Sequence, residues 1–131
     1  MPAKYIIDVP HRVVFSQGTG VFTHGDFIGH MEALQKNPAF NPDFSQVVDC
    51  RDIGLLDLKN DQLRDLAAQS IFSLRARRAF VVSTELHFGM SRMFAAYREL
   101  AGQQVAVFKD MPSALQWLGL PPDLDPHAPT S

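Results

Sequence analysis

The sequence has a single cysteine, no long hydrophobic run and no large excess of charge of either sign. Because Cys50 stands alone, an internal disulfide and a metal site built only from cysteines are excluded, which is typical of a reducing compartment. No apolar segment approaches the roughly 20 residues that span a bilayer. The residues after Met1 turn polar at Asp8 and Pro10, before an apolar core of signal-peptide length is reached. We therefore expect a cytoplasmic protein without a membrane span.

The charge balance argues against nucleic acid as a partner. The formal net charge is −2, which gives no long-range attraction to a polyanion. Arg75, Arg77 and Arg78 form a small basic cluster, but no aromatic residues that could stack on bases lie beside them. This cluster predicts a solvated entrance to a strand.

The chain has the length and composition of one ordinary domain. Its 131 residues are 46% hydrophobic and 20% charged, and a domain of this size buries roughly two-thirds of the surface of its unfolded chain. We expect a single folded domain over residues 1–120. The proline-rich residues 121–131 predict a flexible tail with no means of packing.

Hydrophobic patterning predicts nine elements in the order β-β-α-β-α-β-α-β-α. The first two strands are separated by Pro10-His11, which is typical of a hairpin turn. The first helix begins after Thr23, an N-cap with Asp26 three residues later, and stops before Asn37-Pro38. An opening hairpin followed by alternating strands and helices predicts an α/β domain with a mixed, mostly parallel sheet. The remaining predicted bounds are 5–9, 12–21, 46–50, 78–83 and 104–108 for the strands, and about 59–73, 85–101 and 112–118 for the helices.

The third helix has the clearest amphipathic pattern. Its apolar residues recur at helical spacing, which predicts that they form the face packed on the core. The polar residues lie opposite and are expected to face solvent, and Gly102 is expected to end the helix. The predicted apolar stripe is Leu86, Met90, Met93, Phe94, Tyr97 and Leu100, and the predicted polar face is Ser91, Arg92, Arg98 and Glu99.

This order of elements resembles the STAS domain, the anti-sigma-factor-antagonist fold, and the related SpoIIAA-like and SEC14-like bacterial proteins. The likeness extends over residues 4–120. Residues 47–57 (VVDCRDIGLLD) resemble the strand and loop that carry the regulatory site of STAS domains. Residues 78–82 (RAFVV) resemble the following strand, and residues 114–118 (ALQWL) resemble the closing helix.

The resemblance breaks at the regulatory position. In STAS regulators a phosphorylatable serine or threonine follows the loop aspartate, which Asp57 matches by position. Here Leu58, Lys59 and Asn60 follow instead, and a leucine side chain cannot accept phosphate. The phosphorylation switch of the family is therefore not implied for this chain.

One crevice is predicted at the carboxyl ends of the parallel strands, where ligands of open α/β sheets bind. Two helix N-termini, one after Asp57 and one after Thr84, converge there and suit an anion. A purely structural alternative remains open, in which Asp57 or Asn60 caps the second helix, Ser83 or Thr84 caps the third, and Arg51 pairs with a loop carboxylate. The predicted crevice residues are Asp49, Arg51, Asp57, Asn60, Ser83, Thr84, His87 and Arg92.

No catalytic or metal-binding motif is present. The sequence has no G-x-S-x-G elbow, no P-loop and no H-x-x-x-H pair. Only a His87–Asp or Cys50–His arrangement could serve an enzyme, and neither has a motif behind it. Cys50 is expected to be a small core residue. We therefore expect a non-enzymatic protein without a metal or cofactor.

Two functions follow from the resemblance. STAS-like proteins imply a regulatory module that binds a protein partner or a second copy of itself. Phe72 and Phe88, which break the amphipathic pattern, are candidates for the partner surface, or alternatively tuck into the core at helix ends. The SEC14-like branch implies a carrier or sensor of a small apolar ligand, with Met90, Met93 and Phe94 as its apolar pocket.

Overall fold

The computed structural model describes residues 3–124 and contains five strands and four helices over that range. Their order agrees with the predicted β-β-α-β-α-β-α-β-α succession. The elements are β1 (Ala3–Asp8), β2 (Val13–Thr23), α1 (His24–Lys36), β3 (Ser45–Asp57), α2 (Asn60–Ala68), β4 (Arg77–Val81), α3 (Glu85–Leu100), β5 (Gln104–Phe108) and α4 (Met111–Trp117).

The five strands form one sheet in the spatial order β1-β2-β3-β4-β5. β1 pairs antiparallel with β2, and the remaining neighbours pair in parallel. Parallel neighbours require a crossover connection, which α1, α2 and α3 supply in turn. The prediction of a mixed, mostly parallel α/β sheet is confirmed.

The helices are divided unequally between the two faces of the sheet. On the first, which we call the three-helix face, Leu66 of α2 and Phe94 of α3 pack against Phe80. Partly buried apolar side chains of α1 pack against the same cluster. On the second, the α4 face, Leu115 packs against Val81. Three of the four helices of residues 3–124 therefore pack on the three-helix face, and the larger buried cluster lies there.

β3 is much longer than the predicted strand 46–50. β2 continues beside it as far as the Thr23–Asp57 pair, whereas its pairing with β4 ends at Asp49 and Val81. The extra segment is a two-stranded extension whose Ile53 side chain is buried in the core. The segment was expected to be a loop, and it is a strand because β2 pairs with it.

α2 is shorter than the predicted helix 59–73, because it ends at Ala68. Beyond it, the Ser70 hydroxyl accepts a hydrogen bond from the Phe72 N–H at 3.2 Å, a local bond that competes with helical pairing. Phe72 then packs its ring edge-on against Phe40 at a centroid distance of 5.4 Å. Tertiary packing of Phe72 therefore replaces the last turn of the predicted helix.

The predicted signals at the start of α1 and the end of α3 are confirmed. Thr23 Oγ1 accepts from the Asp26 N–H, and the Asp26 carboxylate accepts from the Thr23 N–H, which completes a capping box. Gly102 follows α3 with a φ of 91°, a conformation that favours glycine at a helix end. These local rules position the ends of α1 and α3.

The folded domain extends further than residue 120. Leu120 and Leu124 pack against the core on the α4 face, and the Leu124 N–H donates to the Pro121 carbonyl at 3.1 Å. The prediction that the chain has no means of packing from Pro121 onward is therefore wrong for its first residues, because Leu124 supplies an apolar contact. The rest of the predicted flexible tail, residues 125–131, lies outside the described residues.

Gly18 provides a test of this packing, because a methyl group there would displace buried side chains. An added Cβ would lie 2.7 Å from the Ile53 Cδ1 and 3.0 Å from the Phe22 ring. We predict that Gly18→Ala lowers the free energy of unfolding by about 1–3 kcal/mol through overpacking, measured by urea denaturation. Gly29→Ala is the matched control in α1, where nothing lies within 4 Å, and it should stabilise the helix by about 0.5–1 kcal/mol. Equal stability of the two variants would contradict the assigned contact.

Candidate functional site

The predicted crevice at the carboxyl edge of the sheet is occupied by internal pairing. Arg51 donates from Nε and Nη2 to the two carboxylate oxygens of Asp49, both at 2.9 Å. This bidentate hydrogen bonding raises the pKa of Arg51. The structural alternative, in which Arg51 pairs with a nearby carboxylate, agrees with this geometry.

The helix termini beside the crevice are only partly as predicted. Thr84 caps α3, because its Oγ1 accepts from the His87 N–H at 3.1 Å, while Ser83 donates to the Arg51 carbonyl at 3.2 Å. The prediction that Asp57 or Asn60 caps α2 is wrong. Lys59 occupies the N-cap position, and its N–H donates to the Gln62 side chain at 2.9 Å. Asp57 and Asn60 are exposed.

His87 and Arg92 do not meet at the crevice. The His87 side chain is buried at 3% exposure, and among the described residues its Nδ1 has no hydrogen-bond partner. Arg92 is exposed, and its guanidinium lies 6.0 Å from the centroid of the Phe88 ring. Among residues 3–124, no carboxylate is hydrogen-bonded to the buried Nδ1 of His87.

The predicted partner surface is also revised. Phe72 is 6% exposed, so it cannot present a contact surface. It is buried because it lies beyond α2 and packs on Phe40, as the alternative interpretation allowed. Phe88 is partly buried against the core, and the Lys109 ammonium lies 5.2 Å from its ring centroid.

α3 is rotated relative to its predicted orientation. Leu86, Met93 and Leu100, predicted to face the core, are 67%, 39% and 88% exposed, whereas Ser91 and Arg98, predicted to face solvent, are buried. Arg98 can be buried because Nε donates to Gln103 Oε1 and Nη1 to the Ala67 carbonyl, both at 2.8 Å. Satisfied polar contacts therefore outweigh the apolar stripe in setting the rotation of this helix.

A cavity of about 60 Å³ lies between the three-helix face of the sheet and the helices that cover it. Of the three residues expected to form an apolar pocket, Met90 and Phe94 line this cavity, whereas Met93 is exposed. Cys50 and Leu58 also line it. The residue that the STAS resemblance matches to a regulatory position is therefore part of the cavity wall. A volume of this size accommodates about five water-sized groups.

A chain of buried polar side chains crosses the cavity floor, and we call it the polar chain. It begins with His30 of α1, whose Nε2 lies 2.7 Å from Ser16 Oγ, which also accepts from Gln46 Nε2 at 3.0 Å. Arg78 continues it by donating from Nε to Gln46 Oε1 at 2.9 Å and from Nη1 to Gln103 Oε1 at 3.5 Å. Because these residues belong to different elements, the polar chain links α1 to the centre of the sheet and to the start of β5.

Arg78 is a buried cation without a carboxylate partner in the part of the chain that the structure describes. Its guanidinium carbon lies 5.0 Å from the ring centroid of Phe72, 5.4 Å from that of Phe94 and 5.8 Å from that of Phe80. Burial, and secondarily the charge of Arg98, lowers the pKa of Arg78 to about 9. The group therefore remains charged at pH 7, held by two amide oxygens and three aromatic rings.

Arg78 was predicted to lie at a solvated entrance to a strand. This prediction is wrong, because Arg78 is buried. The signal that could have corrected it is the alternation along β4. A strand buried on both faces offers no solvent face, and Arg78 shares its side of the strand with Phe80. Its neighbour Arg77 lies on the opposite side, where its guanidinium stacks 4.1 Å from the Trp117 ring centroid.

Cys50 is a core residue, as expected. It is 2% exposed, and burial, followed by the charge of Asp49, raises the pKa of its thiol to about 12. A thiol with so high a pKa is almost entirely protonated at neutral pH, and it is the thiolate that acts as a nucleophile. The Cys50–His arrangement considered for an enzyme therefore has no support in this geometry.

Within residues 3–124 no group of three or more histidine, cysteine, aspartate and glutamate side chains is arranged to hold a metal ion. None of the helices found there has both the length and the apolarity needed to cross a membrane.

Comparison with known proteins addresses the fold. No protein-family model matches the chain, and no curated protein matches its sequence. Among solved structures, it is similar to an uncharacterised DUF3478-family protein with a SpoIIAA-like fold from Shewanella loihica PV-4, with 20% identity and a TM-score of 0.61. The aligned region covers 88% of this chain and 93% of the other. This chain has a SpoIIAA-like fold. The predicted SpoIIAA-like architecture is thereby confirmed.

His30 makes the stability of the domain depend on pH. Burial, and then the charge of Arg78, lowers the pKa of His30 from 6.5 to about 4. The unfolded chain therefore binds a proton between these pH values that the folded chain excludes, so the free energy of unfolding falls as the pH drops from 6.5 towards 4. We predict that His30 contributes up to about 3 kcal/mol to this loss.

The measurement is urea denaturation of the wild type and His30→Gln at a series of pH values between 4 and 7. Other groups also titrate in this range, so the quantity that matters is the difference between the two proteins. This difference should shift in favour of the variant as the pH falls. Parallel pH profiles would show that burial of neutral His30 does not contribute.

Proposed function

We propose that this SpoIIAA-like domain is a non-catalytic interaction module that binds a protein partner through the outer side of α3. The observation that carries this proposal is the exposure of Leu86, Met93 and Leu100, which recur at intervals of seven residues. Such spacing places three large apolar side chains on one side of a helix about 24 Å long. We call this set the α3 stripe.

The rotation of α3 explains why the α3 stripe is available. The polar contacts of Arg98 and the packing of Phe94 turn the helix so that part of its apolar surface faces away from the sheet. Gly89 and Ala96 lie between the large residues on the same side and are also exposed. A contiguous exposed apolar patch is typical of a contact surface. A second copy of the chain is the simplest partner. Leu86 and Leu100 lie seven residues on either side of Met93, so two antiparallel α3 helices would place leucine against leucine and methionine against methionine.

Sedimentation equilibrium over increasing protein concentration tests this surface. We predict that the wild type associates with itself, and that Leu100→Glu weakens the association at least about tenfold by placing a charge in an apolar contact. Val9→Glu is the control, because Val9 is 50% exposed at the β1–β2 turn. β1 forms one edge of the sheet, whereas α3 connects β4 with β5 at the other edge. A monomeric wild type at all concentrations, or an equal effect of the two variants, would contradict self-association through the α3 stripe.

A second candidate function is supported by the cavity beneath the same helix. Its lining is mainly apolar and includes Met31 and Met90, flexible side chains that can adapt to an occupant. We infer that the domain carries or senses a small ligand with an apolar part. This function is compatible with the first, because an occupant on the inner side of α3 could alter the partner surface on its outer side.

A cavity-filling variant tests the second function. Ser91 is buried in α3 and lines the cavity, so Ser91→Leu should reduce the space available to a ligand. We predict that the wild type binds the straight-chain alcohols butanol, hexanol and octanol in calorimetric titrations, and that this variant binds them at least about tenfold more weakly. Ala33→Leu introduces the same side chain at an exposed position of α1 and should leave binding intact. Undiminished binding by Ser91→Leu would place the ligand elsewhere.

A further inference from the structure

The interior of the three-helix face carries positive charge that is not ion-paired to an acidic side chain among residues 3–124. Arg78 is 7% exposed and Arg98 is 6% exposed, yet neither takes part in the ion pairs found among residues 3–124. The acidic residue nearest to Arg78 along the neighbouring strand, Asp49, alternates onto the other side of β3 and is paired with Arg51. Buried charges without a counter-charge are costly unless other groups compensate.

The hydrogen bonds that compensate the charges of these two buried guanidinium groups are few. Arg78 and Arg98 both donate to the same acceptor, Gln103 Oε1, at 3.5 Å and 2.8 Å respectively. One amide oxygen thus serves two guanidinium groups that repel each other. Arg78 has one shorter bond, to Gln46 Oε1, and otherwise faces aromatic rings. A guanidinium has five donors, so donors of Arg78 remain for a further acceptor.

The position of Arg78 connects this charge to the cavity. Arg78 lines the cavity together with Phe72, Phe80 and Phe94, whose rings surround its guanidinium, and the remaining lining extends to Met31 and Leu58 at the partly exposed outer edge. The cavity therefore has a cationic inner end and an apolar body. A ligand that complements both has an anionic group attached to a short apolar chain or ring.

We propose that the cavity binds a small apolar monocarboxylate whose carboxylate group is received by Arg78. This inference rests on the second candidate function above, and it adds the chemical class of the ligand. Arg78 suits the role because its planar fork can donate two hydrogen bonds to one carboxylate. The ligand's charge compensates both buried arginines, and its apolar part occupies the space beside Met90 and Phe94. The cavity volume of about 60 Å³ favours a short chain, and longer chains require Met31 and Met90 to move.

The test compares acids with alcohols of equal chain length. Calorimetric titrations at pH 7 use butanoate, hexanoate and octanoate beside butanol, hexanol and octanol. We expect each acid to bind the wild type about 10- to 100-fold more tightly than its alcohol, since hydrogen bonds to charged groups are the stronger ones. Equal binding of acids and alcohols would overturn the assignment of a carboxylate while leaving the apolar site intact. Absence of binding by both series would overturn the apolar site as well.

Substitution of the arginine locates the recognition. Arg78→Gln should abolish the preference for acids while retaining the binding of alcohols, and Arg78→Lys should restore part of the preference. Arg75→Gln is the matched control, because it removes the same charge at an exposed position three residues earlier. Persistence of the full preference in Arg78→Gln would show that another cation receives the carboxylate. If Arg78→Gln fails to fold, the acid-to-alcohol ratio of the wild type still decides whether the cavity selects an anion.

Discussion

The burial of Arg78 constrains much of the architecture on the three-helix face. A guanidinium in the interior must have acceptors, so Gln46 and Gln103 are held beside it, and three aromatic rings close around it. Gln103 also accepts from Arg98, whose second bond, to the Ala67 carbonyl, attaches α3 to the end of α2. The orientation of α3, the end of α2 and the packing of Phe72 are therefore coupled through one buried cation.

This arrangement also separates the two surfaces to which functions are assigned. Because Arg98 is held on the inner side of α3, the helix leaves Leu86, Met93 and Leu100 exposed on its outer side. The same helix contributes Met90 and Phe94 to the cavity wall. A ligand that neutralises the interior charge and a partner that covers the exposed stripe would thus act on opposite sides of one helix. That geometry is suited to linking the two binding events.

The crevice at the carboxyl edge of the sheet is where ligands of open α/β sheets usually bind. In this domain its side chains have structural roles. Asp49 and Arg51 pair with each other, Thr84 caps α3, and Ser83 binds a backbone carbonyl. The long β3 extension leads away from that edge before α2 begins. Leu58, which follows this extension, lines the apolar cavity.

The sequence by itself determined the order of elements, the mixed sheet, and the caps at Thr23 and Gly102, because hydrophobic period and terminal hydrogen bonding act between near neighbours. Only the tertiary structure decided the rotation of α3, the length of β3 and the place of Arg78. These depend on pairing between residues far apart in the chain, such as Arg78 with Gln46 and Gln103. A polar side chain that is satisfied by distant partners can be buried, and amphipathic patterning cannot anticipate those partners.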